Sequence, residues 1–336
     1  MKPLFLLFPL IALLLSSCRP DRQTVRIEGK IDGVNQAVIM AYTDDASPRN
    51  GGGIDSITIE RGKFSYERHL EEPTLLTLVY PNFSTTTLVA EPGATIHLSG
   101  DANRLKEIEI DGTPTNELLT EFRLRLIQKS PNDAEMEAAT FVRTHPASPA
   151  AVAVFHDYFD GQKTPKQQPA LALLDLLRRS QPQNHYLKQL DRRLRPQLKA
   201  SVGSPLPRFS AKNIDGKRID NATFKGRPAV IAFSASWDGN NYVLFQQLRK
   251  IRSTFGKKAE TILVSIDHKP DHIKEAAERD TLRNVICQGK GFDSPLVRTF
   301  GVRFVPGCIF VDAKGKIVAR DIPFDQWIDE LKKHAK

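Results

Sequence analysis

The sequence has few cysteines, few tryptophans and no long run of apolar residues. Only three of its 336 residues are cysteine and only two are tryptophan. Three thiols exclude a disulfide-stapled scaffold, in which dense cysteines take the place of a large core. With 40% hydrophobic and 26% charged residues, and a length typical of about two domains, the chain is expected to fold around more than one core.

The longest apolar run, Leu4–Leu15, is interrupted by Pro9. It is shorter than the roughly 20 residues that span a bilayer as a helix, so residues 1–17 are predicted to be an export signal. The run ends in Leu-Ser-Ser-Cys at Cys18, which resembles the lipobox of bacterial lipoproteins. The resemblance implies acylation of Cys18 and a mature chain anchored by lipid to a bacterial envelope membrane, facing the periplasm. The alternative is an ordinary cleaved signal with an unmodified Cys18.

The net charge of +9 is spread along the chain, with both signs mixed. A mixed pattern argues against a segment dedicated to binding nucleic acid. A moderate positive excess is compatible with an acidic partner or membrane surface and identifies no ligand. No cofactor is predicted.

Residues 18–112 are predicted to form a β-sandwich or a partial barrel. Short runs with alternating or β-branched residues recur between turn residues. They are Val25–Glu28, Val38–Tyr42, Ile54–Glu60, Phe64–Tyr66, Leu75–Tyr80, Thr95–Leu98 and Ile108–Ile110. The glycines of Asn50–Gly53 indicate a loop and not a phosphate cradle, because no Gly-Lys-Ser/Thr follows them.

Residues 113–200 change to helical periodicity and are predicted to be a helical connector. Thr113 or Thr115 is expected to cap the first helix. Apolar stripes at helical spacing are formed by Leu119, Phe122 and Leu126, and by Leu187, Leu190, Leu194 and Leu198. Arg192, Arg193, Arg195 and Lys199 form a basic face that is either solvated or meets acidic lipid or protein.

Strands and helices alternate over residues 201–336, which predicts an α/β unit with a mixed sheet and makes the whole chain a multidomain α+β protein. The strands are Ala229–Phe233, Thr261–Ile266, Ile309–Val311 and Lys316–Ala319. Helices are expected from about Gly239 and Pro270, and around Trp327.

The segments Ala229–Trp237, Thr261–Asp267, Phe300–Pro306 and Ile309–Ile317 resemble the thioredoxin fold. More narrowly, they resemble the TlpA-like thiol:disulfide interchange lipoproteins, and Val202–Phe209 is similar to the start of that family and of AhpC/TSA-like redoxins. The N-terminal sandwich segment is similar to an uncharacterised domain that accompanies such lipoproteins. The resemblance implies a thioredoxin fold over residues 201–336 and thiol-disulfide oxidoreductase activity in redox-active members.

In redox-active members the first strand leads into Trp-Cys-x-x-Cys, whereas this chain has Trp237-Asp238-Gly239-Asn240-Asn241. The resemblance places Asp238 at the attacking cysteine and Asn241 at the resolving one. Neither side chain has a sulfur, so thiol exchange is excluded at this site. Asp238 is expected to cap the following helix, because no acid or histidine lies beside it to act with it as a general base. Ala232 stands where thioredoxin itself has a buried carboxylate.

Val305-Pro306 matches the cis-proline dipeptide of the fold, which presents backbone groups to an extended substrate. The resemblance therefore implies a cis peptide bond here. If this edge is kept, the protein can bind an extended peptide by strand addition without acting on it chemically.

Cys287 and Cys308 are the two thiols that remain in the mature chain. They are interpreted as buried apolar thiols, as a structural disulfide, or as a reactive pair, with Cys308 in a strand and Cys287 in a loop. His268 and His272 lie four residues apart beside Asp267 and Asp271. Because Pro270 intervenes, a solvated helix entrance is favoured over a metal site, and none is predicted.

Two functional hypotheses follow. The first is a lipid-anchored envelope protein whose thioredoxin-like domain is not an enzyme and binds or scaffolds an extended peptide or another envelope protein. The second is a TlpA-like thiol-disulfide oxidoreductase that acts through Cys287 and Cys308.

Overall fold

The structure, a computed structural model, describes residues 22–43, 52–160 and 167–335. The predicted signal segment and Cys18 lie outside these ranges. Contacts divide the chain into two compact units. One contains the described residues up to Tyr158 together with Leu176–Gln189, and the other contains Phe159–Asp175 and the residues from Leu190. Within the described ranges, no helix combines the length and the apolar character needed to cross a membrane.

The first unit contains an eight-stranded sheet. Its strands are β1 (Thr24–Asp32), β2 (Gln36–Thr43), β3 (Gly53–Glu60), β4 (Lys63–His69), β5 (Thr74–Val79), β6 (Thr85–Ala90), β7 (Thr95–Asp101) and β8 (Glu109–Asp111). Their order is β6-β5-β2-β3-β4-β1-β7-β8, and only β1 and β7 are parallel neighbours. Strand β6 was missed by the sequence analysis, because five of its six residues are buried and no alternation marks it.

The sheet buries one face, and β1 shows how the sequence selects that face. Val25, Ile27 and Ile31 alternate with exposed polar residues and join a core to which all eight strands contribute. Gly29 shares their face and lies opposite Phe64. A Cβ atom at Gly29 would lie 1.9 Å from Cε1 of Phe64, so the ring can lie over the strand only because residue 29 is glycine.

Helix α1 (Pro114–Arg125) bonds both edges of this sheet. Asn116 exchanges two hydrogen bonds, of 2.9 and 2.8 Å, with the backbone of Val89 in the edge strand β6. Thr120 does the same with Ile110 in the other edge strand, β8, at 3.1 and 2.8 Å. Because residues 116 and 120 are one helical turn apart, the sheet must curl until its edges meet the same helix. The arrangement is a partial barrel and not a two-sheet sandwich.

The other helices of residues 113–200 are α2 (Pro131–Thr144), α3 (Pro149–Phe155), α4 (Gln167–Ser180) and α5 (His185–Lys199). Helices α1, α2 and α3 each begin with proline after a side-chain cap, supplied by Thr113, Ser130 and Ser148. Thr113 is therefore the cap of α1, as one of the two sequence alternatives had it. The predicted stripe Leu187, Leu190, Leu194 and Leu198 is buried.

The predicted basic face of α5 is partly neutralised inside the second unit. Arg193 donates to the buried carboxylate of Asp160 at 2.9 Å. Arg195 donates to Asp175 and to Asp191, both at 2.7 Å. These two arginines therefore bind neighbouring carboxylates of the same unit, a partner that neither alternative for the basic face, solvent or an external acidic surface, included at these positions.

The second unit contains a five-stranded mixed sheet with helices on both faces. Its elements are β9 (Ser210–Lys212), β10 (Arg218–Asp220), β11 (Ala229–Ser234), α6 (Asn241–Phe255), β12 (Glu260–Ser265), α7 (Asp271–Arg279), β13 (Val285–Cys287), α8 (Pro295–Thr299), β14 (Gly307–Val311), β15 (Ile317–Arg320) and α9 (Trp327–Lys332). The sheet order is β13-β12-β11-β14-β15, and β9 pairs only with β10. Strands β11 to β13 are parallel, whereas β14 and β15 are antiparallel to their neighbours. Two apolar clusters cover the two faces.

Candidate functional site

The candidate site lies where β11 and β12 end and β14 begins. Because β14 runs antiparallel to β11, Phe233 near the end of β11 pairs with Gly307 at the start of β14. This register places Pro306 at the same end of the sheet as the loop from Ala235 to Asn240. The peptide bond between Val305 and Pro306 is cis, as the resemblance implied. The tertiary structure thus places Trp237, Asp238 and Pro306 at one edge of the sheet.

Asp238 is not the N-cap of α6, contrary to the prediction. The helix begins at Asn241, and its N-cap is Asn240, whose side chain makes no capping hydrogen bond. The carboxylate of Asp238 instead accepts the backbone N–H of Asn240 at 2.9 Å and its side-chain amide at 3.1 Å. Asp238 therefore stabilises a turn just before the helix, which starts two residues later than the sequence analysis expected.

Asn241, the first residue of α6, also bonds the preceding loop. Its side-chain amide donates to the carbonyl oxygen of Ala235 at 2.6 Å. Oδ1 of Asn241 and Oδ2 of Asp238 are almost inaccessible to solvent and have no hydrogen-bond partner in the described chain. Both atoms are acceptors, so neither residue supplies a nucleophilic thiol at the helix start.

Asp267 is a site residue that the sequence analysis did not connect with Trp237. It is buried and follows β12, where its carboxylate accepts the N–H and the hydroxyl of Ser236 at 3.0 and 2.7 Å. The hydroxyl of Ser265 donates to it at 2.5 Å. The signal that could have found this pair is that parallel strands end at the same edge of a sheet. The carboxylate thus fixes the loop that carries Trp237.

Arg320 holds the segment that leads to Pro306. Its guanidinium donates to the carbonyl oxygens of Phe300 and Gly301, at 2.8 and 3.0 Å, and to that of Ala200 at 2.9 Å. Gly301 has a φ of 59°, and a Cβ atom there would lie 2.4 Å from the backbone nitrogen of Gln197. Residue 301 must therefore be glycine for the chain to turn at this point.

Backbone donors and apolar side chains are exposed at this end of the domain. The N–H groups of Arg303, Phe304 and Val305 make no hydrogen bond with any part of the described chain. Large apolar side chains stand in the surrounding loops and at the start of α6: Trp237 is 64% exposed, Tyr242 72%, Phe292 45% and Phe304 55%. A surface with these two properties can pair with an extended, apolar chain.

Cys287 and Cys308 are both free in the described chain. Cys287 ends β13, and the prediction that it lies in a loop was wrong, whereas Cys308 lies in β14 as predicted. Strands β11 and β12 separate β13 from β14, so at about 4.8 Å per strand the two Cα atoms are at least about 14 Å apart. A disulfide spans no more than about 7 Å, so the two thiols cannot pair within one chain in this fold.

The two thiols differ in environment. Cys308 is 2% exposed, and burial, assisted by the negative charge of Asp321, raises the pKa of its thiol to about 12. Such a thiol remains protonated and unreactive at neutral pH. Cys287 is half-buried, and its thiol donates to the carbonyl oxygen of Asp267 at 3.3 Å. Ala232, which faces Cys308 across the strands, is fully buried.

The histidines considered for a metal site are exposed and do not converge. Among residues 22–43, 52–160 and 167–335, no group of three or more His, Cys, Asp or Glu side chains is placed to hold a metal ion. Asp267, the only buried member of the predicted cluster, accepts hydrogen bonds from the hydroxyl groups of Ser236 and Ser265. His268 packs against Gly291, where a Cβ atom would lie 3.2 Å from Nε2.

Comparison with known families gives two matches. Residues 202–320 match the AhpC/TSA family, and residues 25–119 match a domain family of unknown function, DUF4369. The second match agrees with the predicted uncharacterised N-terminal domain. The first match and the fold together make residues 202–320 a redoxin domain of the thioredoxin superfamily.

Proteins similar to this C-terminal domain are named as thiol-disulfide oxidoreductases or as nucleoredoxin. The chain is 22% identical over 139 residues to the thiol-disulfide oxidoreductase ResA of Bacillus thuringiensis, covering 41% of this chain and 79% of that protein. It is 30% identical over 105 residues to nucleoredoxin of Xenopus laevis, covering 30% of this chain and 25% of that protein. A solved thiol-disulfide oxidoreductase from Bacteroides fragilis is 24% identical, covers 39% of this chain and 98% of its own, and has a TM-score of 0.36.

Proposed function

We propose that this protein is a lipid-anchored protein of the bacterial cell envelope whose redoxin domain binds an extended polypeptide segment without exchanging thiols. One observation carries the proposal. The loop from Trp237 to Asn240 and the segment before Pro306 present exposed apolar side chains and unbonded N–H groups, but no thiol.

The backbone before Pro306 favours an extended partner. Three successive N–H groups, from Arg303 to Val305, make no hydrogen bond in the described chain. Because N–H groups alternate in direction along an extended backbone, those of Arg303 and Val305 can bond the carbonyl oxygens of a strand laid beside them. Exposed Phe304 and Trp237 then offer contacts for apolar side chains on one face of that strand. The partner is therefore a segment of another envelope protein in which apolar residues alternate.

Thiol exchange requires a thiolate at the start of the helix, where unpaired N–H groups and the helix dipole stabilise it. This chain has Asp238 and Asn241 there, and a carboxylate or an amide cannot form a mixed disulfide. Cys308 is protonated and buried, and Cys287 is too far from it to resolve an intermediate. The activity named for the redox relatives is therefore not expected at this site.

The anchor is proposed from the sequence alone. Cys18 follows Leu15, Ser16 and Ser17 as in bacterial lipoproteins, and acyl chains on its sulfur would contribute about 0.8 kcal/mol per buried methylene to membrane binding. Replacing Cys18 with serine should move the protein from the membrane fraction into soluble or unprocessed material. Retention on the membrane, after a high-salt wash, of Cys18→Ser chains from which the signal segment has been removed would contradict the anchor.

Peptide binding can be measured through Trp237, because the other tryptophan, Trp327, is buried. A peptide of alternating valine and threonine should shift the fluorescence of the full chain saturably. A peptide of the same length in which proline replaces each threonine should bind more weakly, because proline lacks the N–H groups that two paired backbones need. Phe304→Ser should weaken binding about tenfold, and the matched control Phe83→Ser, in the first unit, should not.

Two results would overturn the proposed function. One is equal binding of both peptides, or no loss with Phe304→Ser. The other is reduction of insulin by the purified chain at the rate of an ordinary thioredoxin.

A further inference from the structure

A basic cavity lies at the opposite end of the five-stranded sheet from the candidate site. Its walls come from the segment before β11, the turn after α6, the turn after β14 and the residues after α9, and its volume is about 580 Å³. The basic side chains that line it are Arg227, Lys257, Lys258, Lys314, Lys333 and His334. Asp312 is the one acidic residue in the lining.

Half of these basic side chains have carboxylate neighbours. Arg227 binds Glu260 at 3.2 Å. Lys333 and His334 both contact Glu330, at 2.6 and 3.4 Å. These three groups are therefore compensated, at least in part, by charges of the protein itself.

The remaining three lysines are not compensated. Within the described ranges, no carboxylate lies within 4.0 Å of the ammonium group of Lys257, Lys258 or Lys314. Asp312 forms no ion pair with these lysines. Its Oδ1 accepts the backbone N–H groups of Lys314 and Lys316, both at 2.9 Å, and so closes the β14–β15 turn. Three lysines from two chain segments thus line one concave space.

Such an excess of positive charge is not found in every cavity of this domain. Another cavity, near the start of β13, is lined by Arg252, Lys274 and Arg283 together with Asp215 and Glu278. Its charges are mixed and largely cancel. The basic cavity therefore differs from an ordinary solvated surface in both sign and shape, and a concave wall of one charge concentrates counter-ions.

We infer that the basic cavity is a binding site for phosphate-bearing anions. Lysine ammonium groups bind phosphate oxygens as point charges, and three of them match the charge of a pyrophosphate or a phosphorylated headgroup. The volume exceeds that of one phosphate, so the cavity has room for a phosphate group attached to a larger molecule. Anionic phospholipid and soluble phosphate compounds share this chemistry.

The test is calorimetric titration of the full chain, held in uncharged detergent, with pyrophosphate at constant ionic strength. The variant Lys257→Gln/Lys258→Gln/Lys314→Gln should bind pyrophosphate about tenfold more weakly or worse. The matched control Lys212→Gln/Lys217→Gln/Lys274→Gln removes the same charge from exposed positions outside this cavity and should bind within about twofold of wild type. Lys314→Gln alone, on an exposed turn, provides a milder variant if the triple variant folds poorly.

A competition experiment identifies the source of the phosphate. Displacement of pyrophosphate by water-soluble dihexanoyl phosphatidylglycerol, and not by the corresponding phosphatidylcholine, supports the site with an anionic lipid headgroup. Pyrophosphate binding without such displacement supports the site with a soluble ligand. Absence of pyrophosphate binding, or equal losses in the cavity and control variants, would overturn the inference.

Discussion

Asp267 bonds Ser236 twice, accepting its backbone N–H at 3.0 Å and its hydroxyl at 2.7 Å. The two residues are 31 positions apart and stand just beyond the ends of neighbouring parallel strands. The hydroxyl of Ser265 donates a third hydrogen bond to this buried carboxylate. The arrangement fixes the loop that carries Trp237, so the exposed indole projects from a rigid base.

Replacing Asp267 with alanine should destabilise the second unit by about 2–4 kcal/mol, because it leaves the buried hydroxyl of Ser265 and the N–H of Ser236 without their acceptor. Ser265→Ala, which removes one donor to the carboxylate and the acceptor of the Asp267 N–H, should cost less, about 1–2 kcal/mol. Urea unfolding followed by circular dichroism measures both. Equal stability of Asp267→Ala and wild type would show that the network is not structural.

Installing the missing thiols should restore exchange chemistry. The double variant Asp238→Cys/Asn241→Cys places one sulfur just before α6 and the other at its first residue, where helix N–H groups favour thiolate. We expect this variant to reduce insulin, whereas each single variant should not turn over, because it lacks the second thiol. A double variant that forms the new disulfide but remains inactive would mean that these positions do not correspond to the redox pair of the family.

Cys308 should resist alkylation in the native state. With its pKa raised to about 12 from an ordinary value of 9.0, the thiolate fraction at pH 8 is about a thousandfold lower than for a free cysteine. Iodoacetamide should therefore modify Cys308 only after unfolding in urea, which peptide mass mapping detects. Rapid native modification would contradict the buried position and revive an oxidoreductase role for this thiol.

Tyr66 should make the first unit less stable at alkaline pH. Burial first, and then its hydrogen bond to Asp55 at 2.5 Å, raise the pKa of Tyr66 from 10.0 to about 12. Between these values the unfolded chain has lost a proton that the native state keeps, so stability falls as pH rises from 10 to 12. Tyr66→Phe should reduce this fall.

The absorbance of ionised tyrosine gives a direct check. The transition of Tyr66 should disappear in Tyr66→Phe and move to lower pH in Asp55→Asn, which removes the negative charge beside the phenol. If Asp55→Asn leaves the titration unchanged, the hydrogen bond does not contribute to the raised pKa.

The sequence by itself determined the kind of most of the long elements in both units, although not of β6. Alternation along β1 and helical spacing in Leu187–Leu198 are local patterns that follow from which side chains face the core. The cap at Thr113 is likewise local, because it joins residues three apart. The absence of sulfur between Trp237 and Asn241 is likewise a property of the sequence alone.

The tertiary structure decided the relationships between distant residues. Only the order of the strands shows that Cys287 and Cys308 cannot pair, and only the shared strand ends bring Asp267 to Ser236. The closure of the barrel by Asn116 and Thr120, and the gathering of Lys257, Lys258 and Lys314 around one cavity, have the same origin. Local patterns depend on neighbours along the chain, whereas sites depend on which segments become neighbours in space, and strand pairing fixes that.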